Sequence, residues 1–471
     1  WHRIGIRPQP NQSNQILPED IMHKNRFFVK GEPKAILLIE ILRDTFEEIS
    51  ETAVAMEKEI REAGFGYHFP LFTDGQEIAK VWDLRKAGLG VLLNIPGTKK
   101  SIQVIEDTAV LPEFYPEYME EFNGLLEKYG LNCSYYAHIA TGELHLSPLL
   151  DLKDSDDIDI FHNLAGDVAR LVKKYRGSLS GEHGDGRLRG EFIPLMLGEK
   201  TYSLLKDIKK VWDPYKVFNP GKITDTPPIT ESLRYPAGRK VRVPGAVFNF
   251  PEEEGVLYAA EKCSGSGDCR KSYLMGGTMC PTFMATRDED KSTRARANIL
   301  REFLTRSEKK NRFDHREIYQ VMDLCLSCKA CKSECPSNVD VTKLKAEFLQ
   351  HYYESNHIPL RTLLIGWLPR LNKVAMVFRP VTNMVMGLGV FKKVIGFSAK
   401  RDVPKLSTVT LRKWAGKRAG KRITGDGVNG KVYLFADEFS DFNESDIGIK
   451  AILLLESLGY SKVHQKGSHV K

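Results

Sequence analysis

Residues 325–336 read Cys325-Leu-Ser-Cys328-Lys-Ala-Cys331-Lys-Ser-Glu-Cys335-Pro336. In a C-x2-C-x2-C spacing, three thiolates on one tight loop can converge on a single iron–sulfur cube. The x3-Cys-Pro that follows sends a fourth thiolate to a neighbouring cluster. Four buried or zinc-bound cysteines are the alternative, but they require neither this spacing nor the terminal proline. The run therefore predicts a ferredoxin-type domain that holds one or two 4Fe-4S clusters and transfers electrons.

A second cysteine group, Cys263-x5-Cys269-x10-Cys280-Pro281, precedes this run. Because Cys280 is followed by proline, as Cys335 is, we assign each of these two thiolates to the cluster of the other group. One cluster is then expected on Cys280, Cys325, Cys328 and Cys331, and a second on Cys263, Cys269 and Cys335. The second set is one thiolate short, so this cluster takes a non-cysteine ligand (Asp268, Ser264 or Ser266), has three ligands, or is absent.

Length and composition indicate a globular protein of two to four domains. The chain has 471 residues, is 42% hydrophobic and 28% charged, and carries a formal net charge of +8. Residues 400–431 contain ten Lys/Arg against Asp402 and Asp426. No nucleic-acid reader motif or interleaved aromatic residue accompanies them, so we expect no nucleic-acid partner. A solvated basic linker, which could touch an acidic partner or a membrane surface, is the favoured interpretation.

The sequence also bears on the compartment. The first residues have no apolar segment of the secretory type. The longest uncharged run in the apolar zone 361–398 is Pro380 to Phe391, well short of the ~20 residues of a spanning helix. Seven of the eight cysteines lie between 263 and 335, as metal-bound thiolates in a reducing compartment would. We expect a cytoplasmic protein, with peripheral membrane contact as an option, and a chain that is a fragment because it starts without Met.

Hydrophobic periodicity and proline positions predict the organisation. Residues 35–212 alternate strand and helix patterns, which indicates α+β layers. The expected strands are 35–42 and 66–73, the expected hairpin is 131–150, and the expected helices are 45–64, 76–87, 114–129, 156–176 and most of 190–212. Prolines between 227 and 251 mark a linker. The predicted domains are an α+β domain (1–230), a helical cysteine-rich domain (255–356), a basic linker region (357–430) and the start of a β–α unit (431–471).

Two histidines flank a predicted hairpin turn. If Thr141-Gly142 is a two-residue turn, His138 and His145 stand directly opposite each other on one face, with Cβ atoms ~5 Å apart. Two imidazoles at that separation can share a divalent metal. The alternative is a purely structural pair of histidines.

A glycine-rich loop, Ser180-Gly-Glu-His-Gly-Asp-Gly186, carries two further candidates. In an extended stretch, neighbouring side chains point to opposite faces. Glu182 could then complete a two-His, one-carboxylate metal site while His183 faces a substrate. A glycine-rich turn with a capping glutamate is the alternative.

These residues resemble a known family. The His-x6-His hairpin, the Ser-Gly-Glu-His-Gly loop and Asn219-Pro220-Gly221-Lys222 are similar to the C-terminal half of FAD-linked oxidases, which include D-lactate dehydrogenases, glycolate oxidase subunits and D-2-hydroxyglutarate dehydrogenases. Segments 81–85 and 106–110 match the family as well, so the resemblance covers roughly 30–225. It implies an antiparallel, ferredoxin-like sheet with helices. Region 255–356 resembles the iron–sulfur domain fused behind such oxidases, and 432–471 the start of a CCG-type domain.

The resemblance also implies roles for individual residues. It implies a metal, zinc by preference, on His138, His145 and Glu182, with His183 as catalytic base. Arg85 would hold the substrate carboxylate, and Ser147 lies where relatives often have an asparagine that contacts substrate. Cofactor contacts are expected at Asn219 and Lys222. The family's N-terminal FAD-binding domain is expected to be missing, because no glycine-rich dinucleotide fingerprint appears in the sequence.

The predicted function is FAD-dependent, metal-assisted oxidation of a D-2-hydroxy acid to the 2-oxo acid. Electrons would pass through the clusters to an acceptor such as a quinone, a flavoprotein or a CCG-type domain. The alternative is an electron-transfer iron–sulfur module whose α+β part docks a partner and catalyses nothing. A third possibility is a reductase that catalyses the reverse reaction.

Overall fold

The computed structural model describes residues 2–5, 25–93, 95, 97–235, 237–238, 245–251, 253, 255–418 and 429–464. The chain divides into two compact units, residues 1–354 and 355–471.

The described residues of the first unit form a six-stranded antiparallel sheet. Its strands are β1 (His2–Gly5), β2 (Ile36–Leu38), β3 (Lys100–Ser101), β4 (Thr108–Ala109), β5 (Cys133–His138) and β6 (Glu143–Leu150). The strand order is β2-β1-β5-β6-β3, and β4 also pairs with β6. An antiparallel sheet with helices confirms the predicted α+β class.

Six α-helices are described in the same part of the chain as this sheet. They are α1 (Phe46–Glu62), α2 (Gly75–Leu93), α3 (Tyr115–Lys128), α4 (Ser155–Lys174), α5 (Ile193–Leu197) and α6 (Glu199–Trp212). Helix α1 begins at a capping box in which Thr45 and Glu48 satisfy each other's backbone N–H groups. The apolar face of α4 packs against the sheet, with Phe161, Leu164 and Val168 buried in one cluster with Leu146 and Leu150. The sheet edge and its covering helices therefore hold the loops that follow in fixed positions.

Two sequence-based expectations are wrong in detail. Residues 66–73 contain no strand; Phe69 and Phe72 instead make side-chain contacts with Arg61 and Phe28. The hairpin register is also shifted. His138 pairs with Glu143, and Tyr136 pairs with His145, so the loop contains four residues rather than two.

A helical domain completes the first unit. Its helices are α7 (Val256–Glu261), α8 (Pro281–Thr286), α9 (Thr293–Arg306), α10 (Arg316–Asp323), α11 (Ala330–Glu334) and α12 (Val341–Ser355). The buried carboxylate of Glu347 accepts hydrogen bonds from the backbone N–H groups of Val247 (2.7 Å) and Phe248 (2.9 Å). This contact fixes the end of the proline-containing linker on α12. The helical region that the sequence predicts after the sheet is confirmed.

The second unit contains short helices and a parallel strand pair. Its elements are α13 (Leu360–Gly366), α14 (Leu368–Ala375), α15 (Arg379–Gly387), α16 (Gly389–Val394), α17 (Leu411–Arg418), β7 (Lys431–Leu434), α18 (Glu438–Phe442), α19 (Ser445–Ser457) and β8 (Ser461–His464). None of the helices described for this chain has the length and apolar character needed to cross a membrane.

Candidate functional site

A buried carboxylate organises the glycine-rich loop. Asp107 has left-handed backbone geometry (φ 79°) and is fully buried beside β4. Its carboxylate accepts hydrogen bonds from Ser180 Oγ (2.6 Å), Glu182 N (3.0 Å) and His183 N (2.9 Å). Burial raises the pKa of Asp107, but these hydrogen bonds outweigh burial and bring the pKa below its ordinary value. The ionised carboxylate thus holds the loop backbone beside the sheet.

Glycine is required where this loop meets the hairpin. A Cβ on Gly181 would lie 2.5 Å from Glu143 Oε1, and one on Gly142 would lie 2.5 Å from the carbonyl oxygen of Val110. Gly142 also has φ of 90°, which a residue with a side chain rarely adopts. The close backbone approach brings residues 180–183 against the hairpin face that carries the histidines.

Three imidazoles surround one carboxylate oxygen at this point. Glu182 Oε1 lies 3.7 Å from His138 Nε2, 3.5 Å from His145 Nε2 and 3.4 Å from His183 Nε2. The ring of His145 is perpendicular to that of His138 and nearly parallel to that of His183. The structure therefore brings together the four side chains that the sequence singles out.

The two-residue register shift does not separate the histidines. Because side chains alternate between faces with a period of two, a shift by two residues leaves each side chain on its original face. His138 becomes the diagonal rather than the direct neighbour of His145, and their ring centroids are 5.1 Å apart. The expectation that Glu182 and His183 point to opposite faces is wrong, because residues 181–183 bend around Asp107 and are not extended.

The donor set fits a small divalent cation. Ligands at about 2.1 Å from a tetrahedral ion are about 3.4 Å from one another, and Glu182 Oε1 lies 3.5 Å from His145 Nε2 and 3.7 Å from His138 Nε2. Burial and, to a smaller extent, the charges of His138 and His183 lower the pKa of His145 to about 4. His145 is therefore neutral near pH 7, the form in which imidazole binds a metal. The four residues whose ligand atoms all lie within 4.8 Å of one another are Asp107, His145, Glu182 and His183; this group contains His183 and not His138.

Glu106 lies beside the Nδ1 atoms of two of the imidazoles, and Arg189 contacts the backbone of Glu106. Glu106 Oε1 lies 3.6 Å from His145 Nδ1, and Glu106 Oε2 lies 3.5 Å from His183 Nδ1. Burial raises the pKa of Glu106, while His183 and Arg189 lower it. The buried guanidinium of Arg189 donates hydrogen bonds to the carbonyl oxygens of Gly184 (2.9 Å) and Glu106 and lies 3.8 Å from Asp107 Oδ2. Glu106, Asp107 and Arg189 were not among the predicted site residues, although segment 106–110 matches the family.

The predicted substrate-binding residues lie at different distances from this centre. The guanidinium of Arg85, on α2, lies over the ring of Tyr136 (5.6 Å to the centroid), and Tyr136 is the cross-strand neighbour of His145. Ser147 is buried on β6, two residues beyond His145 and on the same face. These positions border one side of the histidine cluster.

The predicted cofactor contacts lie on an exposed turn. Asn219 and Lys222 are exposed, and Lys222 Nζ donates to Asn219 Oδ1 (3.4 Å). The turn is tied to the glycine-rich loop through the hydrogen bond from Ile223 N to Gly186 O (2.9 Å). Neither side chain is in contact with the histidines, so a cofactor role for them stays a prediction.

The helical domain gathers the predicted cluster ligands around its core. Cys263, Cys269, Cys280 and Cys331 are buried, Cys325 and Cys335 are half-buried, and Cys328 is exposed. Burial raises the pKa of the Cys269 thiol, and the charges of Cys280, Cys263 and Cys335 raise it further. Burial likewise raises the pKa of Cys331 to about 11, with Cys325 among its electrostatic neighbours. Cys280 thus lies near Cys269, and the division of the seven thiolates between two clusters stays a prediction.

Comparison with known protein families agrees with both halves of this architecture. Residues 17–223 match the family described as FAD linked oxidases, C-terminal domain, and residues 262–340 match the 4Fe-4S dicluster domain. The chain therefore carries an FAD-linked oxidase C-terminal domain followed by a 4Fe-4S dicluster domain.

Curated relatives show which flavin-linked dehydrogenases and oxidases the chain is similar to. The chain is similar to D-2-hydroxyglutarate dehydrogenase of Escherichia coli (28% identity; 84% of this chain and 43% of the relative). It is similar to the enzyme of the same name in Pseudomonas putida (33%; 62% and 32%) and, over a shorter stretch, to glycolate oxidase subunit GlcD of Bacillus subtilis (23%; 40% and 39%). The chain spans less than half the length of each of these relatives.

Proposed function

We propose that this chain contributes the substrate-binding, proton-transferring and electron-conducting parts of an FAD-dependent dehydrogenase that oxidises a D-2-hydroxy acid to its 2-oxo acid. The observation that supports this most directly is the meeting of three imidazole Nε2 atoms around Glu182 Oε1. D-2-Hydroxyglutarate is the first substrate to test, because relatives that align with most of this chain carry its name.

A divalent metal, zinc by preference, would be held by His138, His145 and Glu182. Three protein ligands with an open fourth position are typical of catalytic zinc. When bound, such an ion supplies Lewis acidity that lowers the pKa of a coordinated hydroxyl. Glu106 would assist from behind, since it lies 3.6 Å from His145 Nδ1 and can orient that ring.

His183 is proposed as the base that takes the hydroxyl proton of the substrate. The Glu106 carboxylate lies 3.5 Å from its Nδ1, so an N–H at Nδ1 would leave the Nε2 lone pair directed at the cluster centre. A neutral imidazole suits proton abstraction near pH 7. Bound FAD would supply the hydride acceptor for C2, and clusters held by the cysteines would supply acceptors for single electrons. Arg85 would hold the substrate carboxylate by paired hydrogen bonds.

Two variants distinguish a metal ligand, His145, from the proposed catalytic base, His183. His145→Gln should lose the metal and the activity together, whereas His183→Gln should keep the metal and lose flavin reduction by D-2-hydroxyglutarate. The readouts, taken on the full-length protein that carries the FAD-binding domain, are metal per chain by elemental analysis and flavin bleaching under anaerobic conditions. A His183→Gln protein that reduces its flavin at the parental rate would refute the assignment of the base.

An electron-transfer module without catalysis is the competing proposal. It predicts the clusters but no stoichiometric metal at the histidines and no substrate-dependent flavin reduction. The convergence of three histidines on Glu182 favours the dehydrogenase, because docking a partner does not require such an arrangement.

The acceptor and the compartment belong to the same proposal. A quinone, a flavoprotein or a CCG-type domain would receive the electrons, in the cytoplasm or at a membrane surface. Residues 356–401 contain eight Lys/Arg and no Asp or Glu. Many of their large apolar side chains are exposed, including Trp367, Val377 and Val390. Cationic short helices with exposed apolar side chains favour peripheral contact with anionic lipid.

A further inference from the structure

One helix of the iron–sulfur domain supplies N–H donors to three of the predicted cluster ligands. The backbone N–H of Arg294, in the first turn of α9, donates to Cys269 Sγ (3.4 Å). Arg296 Nη1 donates to Cys280 Sγ (3.5 Å), and Asn298 Nδ2 donates to Cys263 Sγ (3.4 Å). Hydrogen bonds to cluster sulfurs are among the factors that set a reduction potential.

Arg296 differs from the other two donors because it brings a charge. Its side chain is 1% exposed, and Nε also donates to the carbonyl oxygen of Val321 (3.0 Å). Thr282 Oγ1 is its remaining polar contact at 3.3 Å. Within the described residues, no carboxylate lies within 4.0 Å of this guanidinium. A buried cation is costly unless an anion balances it, and the cysteine sulfur is the one group in contact that becomes anionic when it binds iron.

A second cation lies close by. Lys345 Nζ donates to the carbonyl oxygens of Cys325 (2.8 Å) and Asp323 (3.2 Å). Burial lowers the pKa of Lys345, the charges of Cys325 and Asp323 raise it, and the charge of Arg296 lowers it. The two cations are therefore electrostatic neighbours, on the side of the domain where Cys280 and Cys325 lie.

The other predicted cluster has no such cation among its donors. Cys263 and Cys269 receive a side-chain amide and a backbone amide, both neutral. The cations Arg296 and Lys345 thus contact Cys280 and Cys325, whereas the hydrogen-bond donors to Cys263 and Cys269 are neutral.

We propose that Arg296 is a positioning residue that balances the negative charge of the cluster ligated by Cys280 and raises its reduction potential above that of the other cluster. Adding an electron increases the negative charge of a cluster, so a buried cation favours the reduced form. The cluster beside Arg296 and Lys345 is then the one that retains the electron at equilibrium. This inference rests on the proposed function only in requiring that the clusters are present.

Potentiometric titration of the anaerobically purified protein, followed by electron paramagnetic resonance, tests the proposal. Arg296→Gln should lower the reduced-to-oxidised ratio of one cluster at least tenfold at a fixed potential, a shift of about 59 mV for one electron. Arg294→Gln is the matched control, because it removes the same charge two residues away. The side chain of Arg294 binds Glu289 (3.2 Å), and only its backbone N–H donates to sulfur. Arg296→Lys should stay near the parental potential because the charge is kept.

The outcomes are distinct. An unshifted Arg296→Gln protein, an equal shift in Arg294→Gln, or a shift in Arg296→Lys as large as that in the glutamine variant overturns the proposal. If Arg296→Gln does not retain its iron, Lys345→Gln is titrated in its place. That variant should lower the potential of one cluster, and an unchanged potential also overturns the proposal. A parent protein without cluster signals would instead contradict the proposed electron-transfer function.

Discussion

Removing the Asp107 carboxylate should release the glycine-rich loop and with it the metal. The carboxylate accepts three hydrogen bonds, from Ser180 Oγ and from the backbone N–H groups of Glu182 and His183. A hydrogen bond to a charged group contributes roughly 1.5–3 kcal/mol. Because the three bonds are not additive, and because solvent or relaxation can satisfy part of the loop, we expect Asp107→Ala to lower the free energy of unfolding by about 3–5 kcal/mol.

The same change should reduce metal binding, since Glu182 and His183 would no longer be held beside the hairpin. The measurements are metal per chain after dialysis and urea unfolding of the metal-free protein. Asp185→Asn is the control, because Asp185 lies in the same loop but makes none of these three hydrogen bonds. A stoichiometric metal content in Asp107→Ala, together with a stability loss below about 0.5 kcal/mol, would refute this reasoning.

Three further predictions concern packing, charge and membrane contact. Gly177→Ala should destabilise the protein by about 1–3 kcal/mol, because its Cβ would lie 2.3 Å from the carbonyl oxygen of Ala109. The control is Gly124→Ala in α3, where a Cβ meets open space, and this variant should be neutral or stabilising. Thermal melts of both variants measure the difference. Burial raises the pKa of Asp167, but hydrogen bonds from Lys128, Tyr129 and Arg170 dominate and lower it to about 2. Its stabilising effect is therefore present at neutral pH and lost as the pH falls from about 4 towards 2, so the urea midpoints of the parent and Asp167→Asn should differ at pH 7 and converge at low pH. Vesicles with anionic lipid should retain the protein in a flotation assay at low salt. Retention should be lost when the surface Lys/Arg of 356–401 are changed to Gln. Equal retention on neutral vesicles would contradict the role of charge.

Sequence reasoning succeeded where local spacing carries the chemistry. The cysteine spacing at 325–336 predicted the iron–sulfur region, and the helices at 114–129 and 156–176 lie within two residues of α3 and α4. The hairpin and loop patterns allowed the convergence of His138, His145 and Glu182, and the family resemblance implied it, although the turn is four residues long. That error was harmless because an even shift in register preserves the face of each side chain.

The remaining parts of the site depend on contacts between distant segments. Asp107 lies more than seventy residues from the loop that it holds, and a positive φ on an aspartate leaves no signal in a single sequence. Arg189 likewise acts through backbone carbonyls that only the folded chain brings near it. The missing strand at 66–73 has a partly local cause: Phe69 contacts Arg61 of the preceding helix α1, and Phe72 contacts the more distant Phe28.

The most direct test of the central claim is the metal content of the purified protein beside that of His145→Gln and His138→Gln. The account predicts one tightly held divalent ion at the histidine site of the parent, counted separately from cluster iron, and its loss in both variants while the cluster signals persist. A parent without such an ion, or variants that retain it in full, would contradict the claim that these imidazoles and Glu182 form a metal centre.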